Sequence, residues 1–151
     1  MHIYEAGIII GGIPIIGSNY INPNEKDIDL IQKCALLSCI LDFADLLISP
    51  IEYLESNRYC FAFSKRYIET IDMEDSDIYA YLVINKYKNF HKEVKDKFYP
   101  VLETLLNEFI RRYNGFNFSF SFQFTEFRNF IDKTLGPSTL TLEEKVELLF
   151  G

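Results

Sequence analysis

Very few residues of this chain combine the types and the spacing that catalysis or metal binding requires. The two histidines are His2 and His91, and neither has a His, Cys or carboxylate neighbour at metal-ligand spacing. A zinc site needs three or four such ligands, and histidine-based nucleophilic catalysis would depend on one of these two residues. We therefore predict a non-enzymatic protein with no catalytic residue, no metal site and no cofactor.

An acidic run between positions 72 and 77 is another candidate for cation binding. Carboxylate oxygens are the ligands that a hard cation prefers. The run contains Asp72, Glu74, Asp75 and Asp77. It lacks the central Gly and the distal bidentate Glu of an EF-hand loop. A solvated hairpin loop is therefore the preferred interpretation.

The glycines near the start of the chain indicate a hairpin and not a phosphate-binding loop. A phosphate loop leads into a helix N-terminus, whereas Gly11-Gly12 separates two runs rich in Ile. This pattern predicts two strands, His2–Ile10 and Ile13–Ile21, joined by a two-residue turn. Ile8–Ile10 is apolar at consecutive positions and should be covered on both sides. Pro14 cannot donate a ladder hydrogen bond, so the second strand is predicted at a sheet edge.

Composition excludes several classes of partner. The chain has 151 residues, a net charge of −7 and 16% aromatic residues, which predicts one folded domain. An acidic protein lacks the basic footprint that nucleic acids and anionic membranes require. Three cysteines, Cys34, Cys39 and Cys60, are expected to be reduced and buried. Without a leader-like or membrane-spanning pattern, the expected location is the cytoplasm, with no direct membrane anchor.

A predicted helix at Asp27–Ile48 has more apolar surface than one sheet can cover. Its polar residues lie on one side in the first half and on roughly the opposite side in the second half. A helix packed on a sheet usually keeps one polar face throughout. Either a further element covers the excess apolar surface, or the helix rolls across the sheet.

The remaining elements follow from periodicity and from breaker residues. Pro100 is expected to kink or divide the long helix. The predictions are strands at Ile51–Glu55, Arg58–Ile71 and Ile78–Asn85, a long helix at Asn89–Asn114 and a short helix at Thr125–Leu135.

Two segments extend this pattern. Phe116–Phe124 alternates Phe with polar residues and is either a sixth strand or an extended strap over the core, with the strap preferred. A capping box at Thr141–Glu144 begins a terminal helix that reaches Phe150. Residues 1–135 are thus predicted to form the domain, and residues 136–151 a helical extension that packs on the domain or on a partner.

The order hairpin, helix, three strands, long helix, further helix resembles the longin domain, a SNARE-like member of the longin and roadblock group. The resemblance covers about residues 2–135 and includes an opening hairpin without a preceding helix. It implies an α+β fold with a five-stranded antiparallel sheet in the order 2-1-5-4-3. One helix would cover one face of the sheet, and two or more helices would cover the other.

The resemblance also implies a function. Longin-like domains are non-enzymatic platforms in small-GTPase regulation and vesicle traffic, and many receive a peptide or helix between the first helix and the third strand. The corresponding residues here are Leu36, Ile40, Phe43, Leu47, Ile51, Tyr53 and Leu54. The expected partner is a small GTPase, an adaptor or a second copy of the chain, as in a homodimer. The alternative is a small-ligand-binding sensor domain, which would need a cavity with convergent polar groups.

Overall fold

The structure, a computed structural model, describes residues 2–20, 53–55 and 59–136. Within these ranges the chain forms one antiparallel sheet, with its strands in the order β2-β1-β5-β4-β3. The strands are β1 (Ile3–Ile10), β2 (Ile13–Asn19), β3 (Tyr53–Glu55), β4 (Tyr59–Glu69) and β5 (Asp75–Asn85). The predicted α+β fold and its strand order are therefore confirmed.

The helices of the described ranges follow β5. They are α1 (Phe90–Glu93), a π-helical turn (Val94–Phe98), α2 (Tyr99–Tyr113), a 3-10 turn (Ser121–Phe124) and α3 (Phe127–Leu135). The predicted division at Pro100 is confirmed, because the regular helix begins at Tyr99 and the wide turn lies directly before it. A proline clashes with the carbonyl four residues earlier in an α-helix, and the π-helical turn loosens that part of the chain. The predicted helices at Asp27–Ile48 and Thr141–Phe150 lie outside the described residues.

The three α-helices of the described ranges pack on one face of the sheet, which we call the helix face. The strands contribute small and branched side chains there, and the helices contribute aromatic and leucine side chains. Central members of this cluster are Ala6, Ile8, Ala62, Ala80, Leu82, Phe90, Phe98, Leu105, Phe109 and Phe127. Cys60 is also buried on this face, as predicted, while Cys34 and Cys39 lie outside the described residues. The alternation of large and small residues along β4 places its small residues under the helices.

The second face of the sheet carries a separate apolar cluster. Its members are Ile9, Phe61, Phe63, Tyr79, Tyr81 and Val83. All six are nearly or completely buried, although no helical residue of the described ranges belongs to the cluster. The run Ile8–Ile10 therefore contributes to both faces, as its unbroken apolar character predicted.

The β4–β5 hairpin corrects the prediction for the acidic run. The strand predicted to begin at Ile78 begins at Asp75, where it pairs with Glu69. Asp77 lies opposite Tyr67, and its Oδ2 is 3.6 Å from Lys65 Nζ. Pairing with the long β4 strand overrides the low strand propensity of aspartate and serine, so only residues 70–74 form the turn.

Met73 occupies a conformation in this turn that favours glycine. Its φ angle is +63°, and its side chain is 84% exposed. Its backbone N–H donates to the Thr70 carbonyl at 3.0 Å. A side chain in the left-handed region costs about 1–2 kcal/mol because Cβ crowds the carbonyl oxygen.

We expect the free energy of unfolding of Met73→Gly to be about 1 kcal/mol higher than that of Met73→Ala, since only glycine relieves this crowding. Urea denaturation of both variants measures the difference. Met73→Ala is the matched control because it removes the same exposed side chain and keeps Cβ. Equal stability of the two variants would show that the backbone at Met73 is not strained.

The segment after α2 ties the helix layer to the end of β4. Gly115 N–H donates to the Glu69 carbonyl at 2.7 Å, and Glu69 N–H donates to Asn114 Oδ1 at 2.8 Å. Ile71 N–H then donates to the Phe116 carbonyl at 3.1 Å. From Phe116 to Phe124 the chain is a strap that ends in the 3-10 turn and not a strand, which agrees with the preferred prediction.

Candidate functional site

The predicted partner-binding residues fall into two groups. Leu36, Ile40, Phe43, Leu47 and Ile51 lie outside the described residues. Tyr53 and Leu54 are consecutive in β3 and therefore point to opposite faces of the sheet. The Tyr53 ring packs edge-on against Phe90 on the helix face, with the centroids 5.9 Å apart, whereas Leu54 packs on the second-face cluster. Of these two, only Leu54 thus faces the side of the sheet on which no described helix packs.

A pocket that the sequence did not reveal lies along the other edge of the sheet. We call it the β2-edge pocket, and its volume is about 570 Å³. One wall is formed by the sheet, and the other by the 3-10 turn and α3. The described residues that line it are Glu5, Pro14, Ile15, Ile16, Gly17, Asn19, Tyr81, Phe122, Thr125 and Arg128.

A β-bulge shapes the strand wall of this pocket. Ile16 pairs with Ile8 and Pro14 pairs with Ile9, so Ile15 has no partner in the register with β1. A bulge places one extra residue in a strand and bends it. Ile15 and Ile16 are consequently both buried in the helix-face cluster, while Pro14 remains exposed at the pocket.

Arg128 is the one cation among the described residues of the pocket. It is the second residue of α3, and its Nε donates to the Gly17 carbonyl at 3.0 Å. This bond fixes the guanidinium plane at the outer edge of β2. Within the described residues, the terminal Nη atoms of Arg128 make no hydrogen bond or ion pair. A positive charge in the first turn opposes the helix dipole, so this position does not serve helix stability.

Two further contacts hold α3 and the strap in place. The Tyr20 hydroxyl donates a hydrogen bond to Asp132, and this bond joins α3 to the residue after β2. Burial, and next the bond to Asp132, raises the pKa of Tyr20 well above its ordinary range, so this hydroxyl stays protonated as the donor. In the strap, Thr125 Oγ1 donates to the Phe122 carbonyl at 2.6 Å.

The strap presents aromatic side chains to solvent beside the pocket. Phe122 is 77% exposed and Phe120 is 55% exposed, and their ring centroids are 6.2 Å apart. Other Phe residues of the same segment are used in the core, since Phe124 is completely buried. Phe120 and Phe122 are therefore not packed in the core, in contrast to Phe124 of the same segment.

The sheet wall is tightly packed beneath the pocket. Tyr81 lies beside Gly7 of β1, which in turn pairs with Gly17 of β2. The Tyr81 hydroxyl approaches both glycines, because neither has a side chain to keep it away. Glu5, which also lines the pocket, has only 5% of its surface exposed.

Within the described ranges, no group of three or more His, Cys, Asp or Glu residues could hold a metal ion. None of the helices in these ranges is long and apolar enough to cross a bilayer. Comparisons with protein-family models, with curated proteins and with solved structures find no match to this chain. Functional interpretation therefore depends on the geometry of the sheet and of its edges.

Sequence reasoning missed the pocket because its parts are distant in the chain. Residues 5–19 and 122–128 meet only through tertiary packing. The local signal that could have indicated it is an arginine in the first turn of a helix, directly after an unusually aromatic segment.

Proposed function

We propose that this chain is a non-enzymatic, cytoplasmic protein-interaction module of the longin type, which acts in small-GTPase regulation or vesicle-traffic-like assembly. The observation that carries this proposal is the sheet order β2-β1-β5-β4-β3, with an opening hairpin at one edge and a three-residue strand at the other. Fold alone does not define function, so the proposal needs a surface and a test.

The proposed surface lies on the second face, beside β3. The described helices occupy the helix face, so we propose that the helix predicted at Asp27–Ile48 packs on the second face. Leu54 already faces that side. A partner segment would then bind between Leu54 and the apolar positions Leu36, Ile40, Phe43, Leu47 and Ile51, with Tyr53 at the sheet edge.

The test is a binding assay between the purified chain and a panel of purified small GTPases, each loaded with GDP or with a non-hydrolysable GTP analogue. We expect at least one GTPase to bind in a nucleotide-dependent manner. Leu54→Ala should weaken that binding about tenfold, because truncation of a central apolar contact costs more than 1 kcal/mol.

Ile13→Ala is the matched control, since Ile13 is 64% exposed at the far hairpin tip and should leave the affinity unchanged. Circular dichroism verifies that both variants are folded. If every GTPase failed to bind in both nucleotide states, the proposed role in GTPase regulation would be wrong.

A second candidate function is a small-ligand-binding sensor domain. The β2-edge pocket supports it, because its lining combines the polar residues Glu5, Asn19, Thr125 and Arg128 with an apolar strand wall. Its volume lies within the range of small-molecule sites, about 300–1,000 Å³. The two candidates use opposite edges of the sheet and are therefore separable by mutation.

A further inference from the structure

We propose that the β2-edge pocket binds a small organic acid, with the carboxylate on Arg128 and the apolar part between Pro14 and Phe122. The inference concerns the edge opposite β3, so it neither requires nor excludes binding of a small GTPase. It assigns a ligand class to the second candidate function.

Arg128 provides the anion-binding group. Its Nε–H is used by the Gly17 carbonyl, and this bond orients the guanidinium so that the Nη groups remain for a ligand. A planar fork of this kind matches the two oxygens of a carboxylate. Among the described residues that line the pocket, Arg128 is the sole cation.

The walls of the pocket select an apolar acid. Pro14 and Phe122 are both exposed at the pocket, and covering them removes apolar surface from water. Phe122 in particular has 77% of its surface in solvent, which is unusual for a phenylalanine in a folded chain. A ligand with an aryl or alkyl group would cover this surface.

The apolar walls also distinguish between anions. A monocarboxylate with an aryl or alkyl group can place its charge on Arg128 and its apolar part against Pro14 and Phe122. Inorganic phosphate carries charge but no apolar part, so it would cover neither of these side chains. The geometry therefore favours an apolar monocarboxylate over phosphate.

The experiment is a titration of the full, ¹⁵N-labelled chain with 4-phenylbutyrate, followed by NMR chemical-shift changes. We expect saturable shifts at the amides of Gly17, Asn19 and Thr125 and at Arg128 Nε–H. A ligand of this size should bind with a dissociation constant on the order of 1 mM. Its neutral analogue, 4-phenylbutyramide, should bind at least about tenfold more weakly, because it lacks the charge-assisted bonds.

Two substitutions of Arg128 distinguish the contribution of its positive charge from that of its bidentate geometry. Arg128→Gln should weaken 4-phenylbutyrate binding at least about tenfold, and Arg128→Lys should fall between it and the unaltered chain, since lysine keeps the charge without the bidentate geometry. Lys133→Gln is the matched control, because it removes the same charge from an exposed position of α3 outside the pocket. Preserved chemical-shift dispersion of the backbone amides shows that each variant is folded.

Several results would overturn the inference. These are shifts that do not saturate, equal binding of the acid and its amide, or undiminished binding by Arg128→Gln. Inorganic phosphate that bound as well as 4-phenylbutyrate would contradict the proposed ligand class. None of these measurements contains a GTPase, so their failure is distinguishable from a failure of the protein-interaction role.

Discussion

Phe109→Ala is expected to lower the free energy of unfolding by about 3–5 kcal/mol. The ring of Phe109 is completely buried between α2, the strap and α3. Its centroid lies 4.7 to 6.3 Å from those of Tyr113, Phe118, Phe124 and Phe127. Truncation leaves a cavity that four rigid rings cannot fill by small movements.

Urea denaturation at 25 °C measures the loss, and Phe122→Ala is the control. It deletes the same atoms from an exposed position of the same aromatic region, so its effect should stay within about 0.5 kcal/mol. If Phe109→Ala is too unstable to purify, Phe109→Leu should still cost about 1–1.5 kcal/mol. Equal effects of Phe109→Ala and Phe122→Ala would show that the aromatic cluster is not the core of the helix layer.

The second large effect is expected at Gly7, where the sheet has no room for a side chain. A Cβ atom at this position would lie 2.6 Å from the Ile16 carbonyl oxygen and 2.7 Å from the Tyr81 hydroxyl oxygen. The first of these obstacles is backbone and cannot rotate away. Gly7→Ala should therefore destabilise the fold by about 3 kcal/mol, at the upper end of the cost of overpacking.

Gly17→Ala is the matched control for this prediction. Gly17 is the pairing partner of Gly7 in the neighbouring strand, but its Cβ would come no closer than 3.3 Å to any neighbouring atom of the described residues. Alanine also restricts the unfolded chain, which offsets part of the cost. We expect the stability of Gly17→Ala to stay within about 1 kcal/mol of the unaltered chain. Equal effects of the two substitutions in thermal or urea unfolding would show that β1 and β2 separate easily.

Much of the sheet could be predicted because local sequence and tertiary position agree there. The apolar run Ile8–Ile10 required cover on both faces, and Pro14 required an edge, and the structure confirms both positions. The register could not be predicted, since the bulge at Ile15 depends on cross-strand packing. The early start of β5 at Asp75 was missed for a similar reason, because pairing with β4 outweighs the local propensity.

The candidate site was less predictable than the sheet. A surface formed by periodic apolar residues leaves a signal in the sequence, as the proposed partner-binding positions from Leu36 to Leu54 do. The β2-edge pocket combines a strand with a strap and a helix start that lie more than 100 residues further along the chain. Isolated residues such as Arg128 acquire their role only through this packing, and no periodicity indicates them.

The contacts of Asn114 and Gly115 with Glu69 have a consequence for aggregation. An exposed sheet edge can recruit strands from other molecules and begin a fibril. Here the chain itself occupies both backbone groups of Glu69, with an amide side chain and a glycine N–H. At the opposite edge, Pro14 withholds a donor and Arg128 occupies the Gly17 carbonyl. The molecule thus interrupts intermolecular β-pairing along β2 and at the end of β4 that extends beyond β3, which counters aggregation of a chain so rich in isoleucine and phenylalanine.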